Sequence, residues 1–252
     1  MAKHMSPLSK SRFPKLVGAG VILPVVAGAL MTALSGSLAA PPAFAAPAAV
    51  VPPPAQDLRP ARGLQTAVLA GGCFWGVQGV FEHVKGVRQA VDGYTGGSTA
   101  SPTYEQVSSG RTGHAEAVEI TYDPRQISYG EILRIFFSVA HDPTEKNRQG
   151  PDSGTQYRSA IFTTGPEQAK VARAYIAQLD GAKAFSRPVA TEVAPLGTFW
   201  RAENYHQDYE TLHPDAGYIV VNDAPMIANL KNVFPDRFRA DPVQVQARAA
   251  AR

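Results

Sequence analysis

Residues 66–84 read TAVLAGGCFWGVQGVFEHV. Thr66 to Ala70 is a short apolar run closed by Gly71-Gly72, the pattern of a buried strand. From Cys73 onward the apolar period changes. Phe74, Val77, Phe81 and Val84 recur at helical spacing. A strand, a glycine turn and a helix follow one another without a break, and Cys73 falls at the helix N-terminus. Free N–H groups and the positive end of the helix dipole favour a thiolate there. The two glycines let the backbone turn tightly and leave the sulfur open. Phe74 and Trp75 follow at once, so at least one aromatic borders the same pocket.

Outward from this core the pattern continues. Val87 to Tyr94 reads as a strand ending in the Gly96-Gly97 turn. Ala115 to Tyr122 alternates, with Glu116, Val118, Ile120 and Tyr122 on one face and Ala117, Glu119 and Thr121 on the other. Ser128 to Glu131 is a capping-box pattern opening a helix through Val139. A polar loop, His141 to Tyr157, precedes a strand from Ser159 to Thr163. Thr164 to Glu167 is a second capping box, with Pro166 near the first turn of a helix to about Leu179. Val189 to Val193 is a further strand, and a short helix is expected from Pro225 to Val233. Mixed helices and strands without strict alternation give an α+β fold. The expected architecture is a two-layer, ferredoxin-like sandwich whose mixed or antiparallel sheet is covered by helices.

The ends read differently. A basic stretch, Met1 to Lys15, precedes an uncharged apolar run from Leu16 to Leu34 and small residues that include Ala43-Phe44-Ala45. This is the form of a cleavable export signal over residues 1–45, implying a periplasmic or secreted protein. The alternative is an uncleaved membrane anchor, since the run is about long enough to span a bilayer. Residues 46–62, rich in Pro and Ala, read as an extended linker. The catalytic domain is expected over residues 63–238 and a disordered tail over 239–252. The net charge of +3 comes from the leader, which holds Lys3, Lys10, Arg12 and Lys15 and no acidic residue. The rest carries 20 basic against 21 acidic residues, so no basic stripe argues for nucleic acid. None of the six histidines pair at i, i+4, and none neighbours Cys73, so no metal site is indicated.

Taken alone, Cys73 could be a buried, inert thiol or a reactive one. Seven ordered motifs bear on that choice. Gly71-Gly-Cys-Phe-Trp-Gly76 is followed by Gly93-Tyr-Thr-Gly-Gly97, Pro102-Thr-Tyr104 and Thr112-Gly-His-Ala-Glu116. Then come His141-Asp-Pro143, Gly154-Thr-Gln-Tyr-Arg158 and Ala202-Glu-Asn-Tyr-His-Gln207. From about Ala67 to Asp208 the chain resembles the A-type peptide methionine sulfoxide reductases. That resemblance implies a reductase of methionine S-sulfoxide, free or in peptides and proteins, needing no cofactor. It implies that Cys73 attacks the sulfoxide sulfur and that Phe74 and Trp75 cage the substrate methyl. Glu116 protonates the sulfoxide oxygen, Tyr104 and Tyr157 hydrogen-bond it, and Asp152 organises the site.

The residues themselves bear on these roles unequally. If the face of Glu116, Val118 and Ile120 is the buried one, desolvation keeps the carboxyl neutral and fit to act as an acid. Tyr104 and Tyr157 could be ordinary half-buried tyrosines, and Asp152 an ordinary turn residue. Many relatives carry further cysteines that resolve the oxidised nucleophile. Here Cys73 is the only cysteine. The expected partners are therefore oxidised methionine and an external reductant, thioredoxin-like or a small thiol, with the protein a monomer. Two other readings stand beside the enzyme. One is a non-catalytic module that binds oxidised segments. The other is a one-cysteine peroxidase, which lacks a nearby Thr and Arg arrangement to hold a peroxide.

Overall fold

The computed structural model describes residues 48–246; the expected leader and the last six residues lie outside them. Strand β1 (Gln65–Gly71) runs directly into helix α1 (Phe74–Glu82), as the change of period requires. Strand β2 (Val87–Thr95), a short helix α2 (Tyr104–Ser108) and strand β3 (Ala115–Tyr122) follow. Helix α3 (Tyr129–Ile135) continues as a π-helical turn to Ala140. The polar loop holds a small hairpin, β4 (Arg148–Gln149) and β5 (Asp152–Ser153), and a 3₁₀ turn, Thr155–Tyr157. Strand β6 (Ser159–Thr163), helix α4 (Pro166–Gly181), strand β7 (Glu192–Pro195) and strand β8 (Trp200–Arg201) complete the sheet. Helix α5 (Tyr209–Leu212), a π-helical turn at Ile219–Asp223 and helix α6 (Ala224–Val233) close the domain.

The sheet order is β7-β6-β1-β3-β2-β8. All neighbours are antiparallel except β6 and β7. The four long strands, β6-β1-β3-β2, have the order of a ferredoxin-like sandwich, so the α+β expectation holds. Alternation splits β1 between two faces. Ala67 and Leu69 join Val118, Ile120 and the apolar sides of α1, α3 and α4 in the main core. Val68 and Ala70 pack on the other face with Ala117, Phe162 and Phe199. Glu116 lies on the helix-covered face, the one carrying Val118 and Ile120, and it is buried.

Several local readings are corrected. Ser128 caps α3 by accepting the Glu131 N–H at 3.1 Å, but the Glu131 carboxylate pairs with Arg237 instead of returning to the cap. The box at Thr164 does not form. Gly165 is the N-cap, with extended backbone, so Thr164 lies one residue too far out. Its N–H binds Gln168 Oε1 at 3.0 Å. The expected strand at Val189 begins at Glu192, because the N–H groups of Val189 and Ala190 are taken by Asp180 Oδ1 and the Pro143 carbonyl.

The expected linker takes no helix or strand, yet from Ala48 it packs on the domain. Val51 is buried in the main core. Proline lacks a donor but keeps its carbonyl, and the Pro52 and Pro53 carbonyls accept from Tyr175 and Gln178. The tail is ordered to Gln246. The buried Asp208 carboxylate needs donors, and the N–H groups of Val245 and Gln246 supply them at 2.8 Å each.

Candidate active site

The turn that presents Cys73 has little freedom. Gly72 has φ +97°, and a Cβ there would lie 2.5 Å from Gln149 Cβ, so only glycine fits. Cys73 is the N-cap residue of α1 and is partly exposed. The first helical N–H groups are free by construction, and one of them is used at the site. Phe74 N–H donates to Glu116 Oε2 at 3.2 Å. The Trp75 N–H lies near the Cys73 sulfur without forming a cap hydrogen bond to it.

Strand register explains why Glu116 is there. Leu69 pairs with Val118 and Tyr94 with Glu116. Glu116 therefore lies beside the end of β1, where α1 begins. The β2–β3 connection is locked by its own motifs. Ser98 N–H binds the Thr112 carbonyl, and Gly97 N–H donates to His114 Nδ1 at 3.1 Å. Burial pushes the Glu116 carboxyl up to about 8. The Phe74 N–H opposes the rise, and Asp152 and Asp223 add to it. Glu116 is a neutral acid at pH 7.

Cys73 departs from the expectation. Burial raises its thiol well above the usual range, and the carboxyls of Asp223, Glu116 and Asp152 raise it further. The Trp75 N–H acts in the other direction but is outweighed. The helix N-terminus aims donors at the sulfur, yet desolvation dominates, so the resting group is a thiol.

The remaining expected residues converge on the same place. Tyr104 opens α2, held by its N–H to Glu203 Oε1 at 2.9 Å, with its ring 4.5 Å from that of His206. Tyr157 ends the 3₁₀ turn. Burial raises its hydroxyl, and Glu116, Tyr104, Asp152 and Cys73 add to the rise. Asp152, in β5, accepts the Tyr218 hydroxyl. Burial raises its carboxyl, and that hydrogen bond counters it.

The two aromatics divide. Phe74 is buried against Tyr94 and His206, at 5.8 and 5.0 Å between rings. Trp75 is partly exposed, stacked on Tyr209 at 3.8 Å and edge-on to Tyr218 at 6.0 Å. Its Nε1–H donates to His206 Nδ1 at 3.1 Å. That bond, the Tyr94 hydroxyl on Glu203 Oε2 at 2.8 Å and the Gln207 amide on the Asp92 and Ala202 carbonyls tie residues 202–207 to the site.

Sequence reasoning missed Tyr209, Tyr218 and Asp223. Tyr218 and Asp223 line a small cleft with Cys73, Asp152, Asn222 and Met226. The segment 214–223 has neither helical nor strand period, and only Asp223 shortly before Pro225 hints at a helix start.

Comparison with known proteins agrees with this geometry. The family model described as peptide methionine sulfoxide reductase matches residues 65–237. Peptide methionine sulfoxide reductase MsrA 2 of Mesorhizobium japonicum is 57% identical over 189 residues, 75% of this chain and 97% of the relative. The MsrA 2 of Synechocystis is 51% identical over 195 residues, 76% of this chain and 91% of the relative. Methionine sulfoxide reductase A of Corynebacterium diphtheriae is similar in structure with a TM-score of 0.53 and 37% identity. The match covers 69% of this chain and 88% of that one. Reduced Mxr1 of Saccharomyces cerevisiae matches with a TM-score of 0.55 and 30% identity, over 64% of this chain and 92% of that one. The order β6-β1-β3-β2, one thiol at a helix start, a buried glutamic acid on β3 held by that helix's first N–H, and this degree of identity have one meaning: the chain belongs to the peptide methionine sulfoxide reductase family.

Proposed function

We propose that this chain, a thiol-dependent methionine sulfoxide reductase by family, performs the reaction on Cys73 with Glu116 as its acid. One observation carries the assignment. The lone thiol at the N-cap of α1 and a buried, neutral carboxyl on β3 meet at the first turn of that helix, with Phe74 N–H holding Glu116 at 3.2 Å. The Cys73 sulfur attacks the sulfur of methionine S-sulfoxide while Glu116 protonates the oxygen. As the S–S bond forms, the Cys73 proton passes to the Glu116 carboxylate that has just protonated the oxygen, so Glu116 ends neutral. The oxygen ends on Cys73 as sulfenic acid, and methionine leaves as a thioether. The sulfoxide sulfur gains two electrons and the cysteine sulfur loses two. Tyr104 and Tyr157, whose hydroxyls stay protonated, donate to the same oxygen. Asp152 orients the wall through Tyr218, and Trp75 borders the substrate methyl.

Regeneration needs two external thiols. The first forms a mixed disulfide with Cys73 and releases water. The second attacks that disulfide and frees Cys73. Thioredoxin-like proteins and small thiols both have this chemistry. The leader over residues 1–45 supports a periplasmic or secreted protein that repairs exported partners, which N-terminal sequencing of the cell-free or periplasmic protein tests.

The chemical test is mass spectrometry of the protein mixed with a methionine sulfoxide peptide and no reductant. Cys73 should gain one oxygen, react with dimedone, and release one methionine per chain. An unmodified Cys73 beside reduced peptide would overturn the assignment.

A further inference from the structure

The mechanism above leaves one group beside the sulfur unused. Asp223 ends the π-helical turn Ile219–Asp223 and is 1% exposed. Its Oδ1 lies over the first turn of α1, where a Cβ on Gly76 would meet it at 2.6 Å. Its Oδ2 is buried with no hydrogen-bond partner. Asp223 occupies the N-cap position of α6 yet makes no side-chain cap bond, so helix capping does not explain it. It lines the same cleft as Cys73, on the side of Tyr218 and Asn222. Asn222 gives its Nδ2–H to the Tyr218 carbonyl, and its Oδ1 is likewise unpartnered. A one-residue π insertion is a common device for aiming a side chain at a functional site.

An unpartnered buried carboxyl is stable only when protonated. Burial raises Asp223 well above the usual carboxylate range, and Glu210 of α5 and Asp152 of β5 add to the rise. Cys73 at the N-cap of α1, Glu116 of β3, Asp92 of β2 and Tyr218 also face Asp223, which raises each of them. Asp223 thus holds a proton on a carboxyl whose Oδ2 has no partner among the described residues, in the cleft of the sulfur that becomes oxidised.

We propose that Asp223 is the acid of the regenerating half-reaction, protonating the hydroxyl that leaves Cys73 when an external thiol attacks through this cleft. The step rests on the sulfenic acid proposed above. A thiolate sulfur forms an S–S bond to Cys73, the S–O bond breaks, and the Asp223 proton completes a water molecule. The cysteine sulfur is reduced and the incoming sulfur is oxidised to the disulfide level. Asp223 is left as a carboxylate and regains its proton from solvent. Glu116 serves the first half-reaction and Asp223 the second, from two sides of one sulfur.

The test separates the halves. Protein oxidised by one equivalent of a methionine sulfoxide peptide is mixed with thionitrobenzoate, a coloured thiol already ionised at neutral pH, and its consumption is followed. Asp223→Asn should still release one methionine per chain in the burst, whatever the burst's rate, while slowing thionitrobenzoate consumption by roughly 10²-fold or more, as expected for loss of a general acid. The wild-type consumption rate should fall on the alkaline side, because the attacking thiol no longer titrates there. That limb should be absent in Asp223→Asn. Equal consumption rates in the two proteins would overturn the proposal, as would an alkaline limb that survives in Asp223→Asn and so belongs to Glu116. A lost burst in Asp223→Asn would also overturn it, placing Asp223 in the reduction step. The wild-type pH profile needs no folded variant, and a flat profile overturns the proposal by itself. A wild-type protein with no burst and no sulfenic acid would instead sink the underlying function.

Discussion

Glu116→Gln tests the acid in two opposite directions. The variant removes a proton donor and keeps the shape, and its amide oxygen can still accept the Phe74 N–H. Activity should fall. Loss of a general acid lowers the rate of methionine release by roughly 10²–10⁴-fold. Stability should rise. The folded carboxyl is held at about 8 against an ordinary 4.5. Its folded value is above its unfolded one, so its contribution is favourable only below about pH 4.5. That contribution is lost progressively as pH rises to about 8. At pH 7 the wild type carries a penalty of about 3 kcal/mol from this group, and about 5 kcal/mol above pH 8. Glutamine does not titrate, so the difference between the two proteins isolates Glu116 from other buried acids such as Glu82 and Asp92. For a chain of this size each kcal/mol moves Tm by about 2–4 °C. The assay is single-turnover methionine release beside thermal melts from pH 4 to pH 9. Wild-type release from the variant, or melting curves whose difference is independent of pH, would refute the reasoning.

Other perturbations follow from the same geometry. Cys73→Ser should abolish the methionine burst and leave the fold intact, since Cys73 is the only thiol in the chain; a residual burst of one methionine per chain would contradict it. Iodoacetamide should modify Cys73 slowly at neutral pH, with a rate still climbing above the ordinary thiol range of about 8.5, because burial holds the thiol protonated. Rapid alkylation at pH 6 would show that the helix N-terminus wins after all. Gly97→Ala places a Cβ 2.3 Å from the His114 nitrogen, against backbone that has no room to give. It should lower stability by about 1–3 kcal/mol or more in a urea melt. Gly181→Ala, with nothing within 4 Å, is the control and should be neutral or slightly stabilising.

Much of this was legible in residue order alone. The change from strand to helix period between Ala70 and Phe74 places Cys73 at a helix start. The alternation from Ala115 to Tyr122 puts Glu116 on the face of Val118 and Ile120. Both readings rest on local sterics, because side-chain period follows from backbone geometry within a few residues. The motifs single out Tyr104, Tyr157 and Asp152, but only register and loop closure bring them toward one sulfur. Leu69 opposite Val118 sets Glu116 beside Cys73, and no local pattern encodes that pairing.

Tertiary structure alone decided the rest. The strand expected at Val189 starts three residues later because Asp180 and Pro143 take its first N–H groups. The Pro/Ala-rich stretch packs down because its carbonyls meet Tyr175 and Gln178, more than a hundred residues away. The tail orders because Asp208 needs two donors. The charge state of the site is the clearest case. A helix N-terminus by itself predicts a thiolate at Cys73. The fold buries that sulfur and sets Asp223, Glu116 and Asp152 around it, and the desolvation they share raises the thiol and Glu116 alike. A dipole acts within one turn of the chain that makes it, whereas desolvation is the work of every element packed around the group.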